Sequence, residues 1–178
     1  MAESSTDQQV IPAAQFIDNV EDFLAGRPAD AVIEELNGSY RLYKAAEQRL
    51  VQHRTRLLGK LPEIRKALTA VHLLVAKRDE EVEVLFDFQL SDQVYAKAVV
   101  KDVQTVNLWL GANVMLEYPL DEAVVLLMEN LKQCEQNLET AKRDIATIKD
   151  FVTTTEVSMA RIYNYDVQKR KGSRAKDS

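Results

Sequence analysis

The chain of 178 residues carries 46% hydrophobic and 29% charged residues, 5 Gly, 4 Pro and a formal net charge of −5. That scarcity of loop formers favours long helices, and the acidic balance makes the chain as a whole a poor match for a nucleic-acid backbone. No apolar run approaches the roughly 20 residues of a bilayer crossing, and the lone Cys134 rules out an internal disulfide, so the expectation is a soluble intracellular protein with no membrane partner.

Residues 1–12 read as a disordered start without the basic and apolar blocks of a signal peptide. Residues 13–27 read as a short amphipathic helix and turn. Phe16, Val20, Phe23 and Leu24 share one side of it, and Gly26-Arg27-Pro28 punctuates the chain ahead of the next helix.

Residues 28–86 carry a seven-residue pattern. Alternate steps of three and four from Ile33 meet Leu36, Tyr40, Tyr43, Glu47, Leu50, Arg54, Leu57, Leu61, Ile64, Leu68, Val71, Val75, Arg78, Val82 and Leu85. Only Glu47, Arg54 and Arg78 are not apolar, and heptads sustained this long argue for a coiled coil. These three are a register device, a functional polar contact or, more commonly, charged stems lying over the seam with their heads in water. Gly59, at about 1 kcal/mol against Ala, and Pro62, which cannot donate to Leu58, predict a bend.

Residues 87–118 change period. Val94, Ala96, Ala98 and Val100 alternate with Tyr95, Lys97 and Val99, while Val106, Leu108 and Leu110 alternate with Asn107 and Trp109. Val114–Tyr118 is β-prone, Gly111-Ala112-Asn113 suits a short hairpin loop, and Phe86–Leu90 supplies a further strand. Two hairpins result.

Residues 119–168 form the second helix, with Asp121 and Glu122 favoured by the dipole of its first turn. Its stripe is Leu120, Val124, Leu127, Leu131, Cys134, Leu138, Ala141, Ile145, Ile148, Val152, Thr155, Met159 and Ile162, broken by Thr155 alone. Residues 169–178 read as a basic disordered tail, either an import or nucleic-acid contact or simply a frayed terminus.

The fold class is therefore mainly α: a long antiparallel two-helix coiled coil with two β-hairpins inserted between the helices. Antiparallel return places Leu85 opposite Leu120 and Leu57 near Ile148, with both chain ends remote from the hairpins. Isolated hairpins are marginal and their edges invite pairing with other strands. Val94, Tyr95, Val100, Val106, Leu108, Trp109, Leu110, Val114, Leu116 and Tyr118 are thus expected to form an oligomer interface.

Residues 44–85 and 119–150 contain no Phe, Tyr or Trp; these gather at the hairpins and the chain ends. Large rigid rings give much contact area, so the far end is expected to capture apolar surface through Phe16, Phe23, Val32, Ile33, Leu36, Tyr40, Val157, Met159, Ile162, Tyr163 and Tyr165. Met159 and Ile162 also fit mutual core, whereas Tyr163 and Tyr165 fall off the seam and are expected at the surface.

His53 and His72 lack partners at metal-ligand spacing, and Cys134 on the seam reads as a small hydrophobe. Ser91 and Ser158 lack a flanking nucleophile motif, and no Gly-rich phosphate loop is present. No enzyme activity, metal or cofactor is expected. The acidic run Asp79–Glu83 is either a dock for a basic partner or a solvated helix face.

Asn107-Leu108-Trp109-Leu110-Gly111-Ala112-Asn113-Val114-Met115-Leu116-Glu117-Tyr118, followed by Leu120-Asp121-Glu122-Ala123, resembles the hairpin and second-helix start of an alpha-class prefoldin subunit. Thr153-Thr154-Thr155-Glu156-Val157 through Met159-Ala160-Arg161-Ile162-Tyr163-Asn164 does so too, as do Ile11-Pro12 before Phe16-Ile17 and Leu61-Pro62-Glu63-Ile64. The resemblance spans about residues 11–170. It implies an ATP-independent co-chaperone in a heterohexamer with one further alpha-class and four beta-class subunits, its hairpins in a double-barrel platform. It also implies capture of unfolded actin and tubulin at the coiled-coil tips and delivery to the cytosolic group II chaperonin. Cytoplasmic location follows, with the nucleus added if the tail is an import address. The competing reading is a structural coiled-coil adaptor for folded partners.

Overall fold

A computed structural model describes residues 11–101 and 103–174. In chain order it contains α1 (Val20–Leu24), α2 (Ala29–Asp79), β1 (Val84–Ser91), β2 (Val94–Val100), β3 (Thr105–Gly111), β4 (Val114–Pro119) and α3 (Leu120–Arg174). The chain divides into a terminal unit, the described residues of Met1–Arg54 with Thr140–Ser178, and a hairpin unit, Thr55–Glu139.

In the terminal unit the first helix is shorter than the expected span from residue 13. Residues 11–19 carry no regular structure, and Asn19, itself extended at φ −113 and ψ 109, accepts at its side chain from the backbone N–H groups of Glu21 and Asp22. A side-chain oxygen that satisfies the first free donors starts a helix where it sits. The helix stops at Ala25, which turns left-handed and bonds back to Glu21. Pro28 then accepts from Ala31 and Val32 at the head of α2.

Helix α2 runs for 51 residues, with Pro62 inside it. Asn37-Gly38, two poor helix formers, lie within its span as well. It ends at Asp79, not at residue 86. Glu81 adopts a left-handed φ of 54, its N–H bonds to Arg78, and the Val82 N–H reaches back to Lys77. This is the paired closure of a Schellman cap. Val82 and Leu85, expected on the seam, are exposed as a result.

The early stop also resets the pairing. Arg78, at the end of α2, clamps Asp121 through two hydrogen bonds of 3.0 and 3.1 Å. The Cys134 thiol lies 3.7 Å from the Leu57 carbonyl, and Ile148, expected beside Leu57, packs on Tyr43 instead. Within each unit the two helices run antiparallel. Tyr40 meets Glu156 in one, and Arg65 meets Glu135 in the other.

Helix α3 extends for 55 residues to Arg174, so the expected disordered tail is helical through its described part. The remainder of that tail, and residues 1–10 of the expected disordered start, lie outside the described residues. Every position of its apolar stripe is buried or half-buried. Thr155 is tolerated there because its hydroxyl donates to the Phe151 carbonyl at 2.8 Å, a bond its own helix supplies.

The hairpins form two separate two-stranded antiparallel sheets. In the second, Ala112 and Asn113 both have positive φ, 48 and 61, the requirement of a tight primed turn. The register shifts between Trp109 and Gly111, where Gly111 at φ 91 occupies a conformation that strains any residue with a Cβ. The first hairpin shifts likewise between Gln89 and Ser91.

Candidate functional surfaces

Side chains alternate between the faces of a strand. On one face of the first hairpin Val84, Phe86 and Phe88 stand opposite Val100, Ala98 and Ala96. That face is wholly apolar, yet only Val84 is buried; Phe86, Phe88 (64% exposed) and Val100 are open. The other face pairs Leu85 with Val99, Asp87 with Lys97 and Gln89 with Tyr95. Tyr95 and Val94 are exposed too.

The second hairpin is treated differently by its own chain. Val106, Leu108 and Tyr118 pack on a core of Val71, Leu120, Ala123 and Leu127. The Leu120 N–H bonds to the Gln104 carbonyl at 3.1 Å, which seats the start of α3 under that hairpin. Leu116, on the same face by its pairing with Leu108, stays exposed, as do Trp109 (60%), Leu110 and Val114. Of the expected interface residues, Val106, Leu108 and Tyr118 therefore serve the subunit's own packing, and the rest are available. Phe86 and Phe88, which the sequence already places among the aromatics gathered at the hairpins, are exposed too, as is Met115, which it did not single out. The signal was present in Phe86-Asp87-Phe88-Gln89-Leu90, which alternates as a strand should.

Arg78 is half-buried at this junction. Its hydrogen bonds hold the Asp121 carboxyl below the ordinary carboxylate range, and the guanidinium is correspondingly raised. A charge that interrupts an apolar stripe here fastens the end of one helix to the start of the next.

In the terminal unit the expected capture residues split in two. Val32 (1% exposed) and Ile162 (0%) belong to a closed core with Ile17, Leu24 and Ala29. Phe23, Ile33, Leu36 and Tyr165 pack against that core. Tyr165, expected at the surface, is thus half-buried, because α1 and the segment before it widen the buried face of α3 beyond a two-helix seam. Met159 is half-buried. Phe16, Val157 and Tyr163 (62%) are exposed.

Polar contacts knit the same unit. The Tyr40 hydroxyl donates to Glu156 at 2.9 Å, and that hydrogen bond raises the Tyr40 phenol. Tyr43 stacks obliquely on Phe151 at 5.6 Å and donates its hydroxyl to the Pro12 carbonyl at 2.9 Å. Burial raises the Tyr43 phenol. Arg161 donates to the Asp18 carbonyl at 2.9 Å and lies over the Phe16 ring at 5.1 Å. The segment of residues 11–19 that these groups hold was not anticipated. Neither an alternation of two nor a helical period marks it.

Among the described residues no group of three His, Cys, Asp or Glu side chains is placed to hold a metal ion. No described helix is long and apolar enough to cross a membrane.

The family described as "Prefoldin subunit" matches residues 43–165. Prefoldin subunit 3 of Homo sapiens is 41% identical over 163 residues, covering 90% of this chain and 83% of that protein. Prefoldin subunit 3 of Drosophila melanogaster is 39% identical over 166 residues, covering 92% and 84%. The fold is also similar to the cryo-electron microscopy structure of filamentous PFD from Methanocaldococcus jannaschii, with a TM-score of 0.51 at 17% identity over 66% of this chain and 94% of that one. Two antiparallel helices, two inserted hairpins and a family match across most of their length lead to one conclusion: the chain belongs to the prefoldin family and is a chaperone subunit of it.

Proposed function

We propose that the chain is a non-catalytic holding subunit whose hairpins join the strands of other prefoldin subunits and whose terminal unit captures non-native polypeptide. The observation that carries the reading is the bare apolar face of the first hairpin, Phe86 and Phe88 with Val100. Both sheets have two strands and therefore two free edges each, a template for strand addition. An exposed apolar sheet face of this kind marks a protein contact. In the assembly so proposed, this alpha-class subunit sits with one further alpha-class and four beta-class partners.

Phe16, Val157 and Tyr163 supply exposed apolar contact in the terminal unit. Unfolded actin and tubulin, passed to the cytosolic group II chaperonin without ATP hydrolysis, are the clients the family resemblance suggests. The cytoplasm is the proposed compartment, and the basic end of α3 leaves nuclear entry as an extension of it. The rival reading, a structural adaptor for folded partners, draws support from the burial of Val32 and Ile162.

The test is to purify the native complex, weigh it, and measure suppression of aggregation of a denatured client with and without ATP. Holding predicts a hexamer mass and nucleotide-independent suppression, weakened by Val157→Ser with Tyr163→Ser while the mass is unchanged. A single stoichiometric folded partner and no suppression would establish the adaptor instead.

A further inference from the structure

Residues 11–20 bury every third side chain. Ile11 and Ala14 are half-buried, Ile17 is buried and Val20 is half-buried, while all six residues between them are exposed. Residues 11–19 belong to no helix or strand, and a burial period of three is one that an extended ribbon with three residues per turn can supply. The ribbon lies along the seam of α2 and α3 in the terminal unit. Ile11 and Ala14 pack on Tyr43, Ile148 and Val152, and Ile17 shares a core with Val32 and Ile162.

The two hydrogen bonds that hold it are informative. Tyr43 donates to the carbonyl of Pro12 and Arg161 to the carbonyl of Asp18. Both acceptors are backbone groups, present at these spacings in any extended chain. Among the described residues nothing in the seat reads a particular polar side chain: it takes small or aliphatic groups at three-residue intervals and two main-chain oxygens, with Arg161 lying over the Phe16 ring beside them.

We propose that this seam is a groove for extended polypeptide with apolar residues at every third position, that residues 11–19 are its resident occupant, and that a non-native segment of the same spacing displaces them. The inference rests on the holding function proposed above and supplies its substrate class. An occupied groove lowers apparent affinity by the fraction of time it stands free. Weakening the occupant therefore strengthens capture, the opposite of what loss of a purely structural strap produces.

The probe is a fluorescently labelled peptide of residues 11–19, with a rearranged peptide of equal composition whose two Ile and central Ala no longer fall three apart. Binding is measured to prefoldin complexes assembled with the full-length chain. Ile17→Ser, which weakens the occupant and leaves the probe intact, is expected to tighten binding of the probe about ten-fold. The rearranged peptide should not compete. Ile11→Ser, at the half-buried end of the ribbon, repeats the first test with a milder change should Ile17→Ser fail to assemble. Unchanged or weaker probe binding in an intact Ile17→Ser or Ile11→Ser complex overturns the groove, as does equal binding of the rearranged peptide. Aggregation suppression by the wild-type complex, measured in parallel, separates the two levels. Normal suppression with no peptide site sinks the groove alone, and absent suppression sinks the holding function beneath it.

Discussion

The hairpin unit and the terminal unit handle apolar surface in opposite ways. In the first, Phe86, Phe88, Trp109 and Met115 stand open to solvent on sheets of two strands. In the second, the chain folds its own N-terminal segment and α1 over the helix seam, so that Val32, Ile17 and Ile162 vanish from the surface. Both regions are rich in apolar residues. What differs is whether the chain supplies the cover. Where it does, the unit closes on itself; where it does not, another chain is the remaining source of burial, since apolar area removed from water is the main favourable term in association.

The sharpest test of this contrast is Phe86→Asp with Phe88→Asp. If the face is bare in the subunit, the pair should leave helicity by circular dichroism unchanged while abolishing co-assembly with other prefoldin subunits, read as loss of the complex in native mass spectrometry. A collapse of helicity would mean that the face is covered from within. The counterpart in the closed unit is Ile162→Ala, expected to cost about 2–5 kcal/mol through the cavity it leaves, measured as a drop in the urea midpoint with assembly retained.

A smaller effect is expected from Asp121→Asn. Asp121 has its carboxyl depressed by Arg78, so its contribution is present above the ordinary carboxylate value of about 4 and is lost as pH falls through the lowered one. The wild-type urea midpoint should therefore fall more between pH 7 and pH 2 than that of Asp121→Asn. The difference is modest because Asp121 is largely solvated. Smallest is Ser158→Ala. The Ser158 hydroxyl is fully buried and has no hydrogen-bond partner among the described residues. Its removal should be neutral or stabilising by up to about 1 kcal/mol, visible as a small rise in thermal midpoint.

Much of this architecture was legible in the residues. The α3 stripe from Leu120 to Ile162 is buried or half-buried at every position, because a heptad pattern is a local statement about which face a helix must hide. Gly111-Ala112-Asn113 marked its turn because few residues tolerate positive φ. The end of α2 was not legible, since the left-handed cap is taken by Glu81, where the usual signal is glycine. That one stop displaced the helix pairing and turned Arg78 from a seam interruption into a clamp on Asp121. The ribbon of residues 11–19 was hidden for a different reason. Phe16, Val20, Phe23 and Leu24 fit a helical face, while the actual contacts, Ile11, Ala14 and Ile17, follow a period of three that has no hydrogen-bonded element behind it.

The sequence by itself determined the elements: two long amphipathic helices, two hairpins between them, and the absence of polar residues along most of the seam. These follow from backbone and side-chain preferences a few residues apart. Tertiary structure alone decided which apolar surfaces are spent inside the chain. Phe86-Asp87-Phe88 and Val106-Asn107-Leu108 alternate alike, yet one stays bare and the other is packed under Leu120 and Val71. Burial depends on what arrives from distant parts of the chain, and no local pattern encodes that arrival.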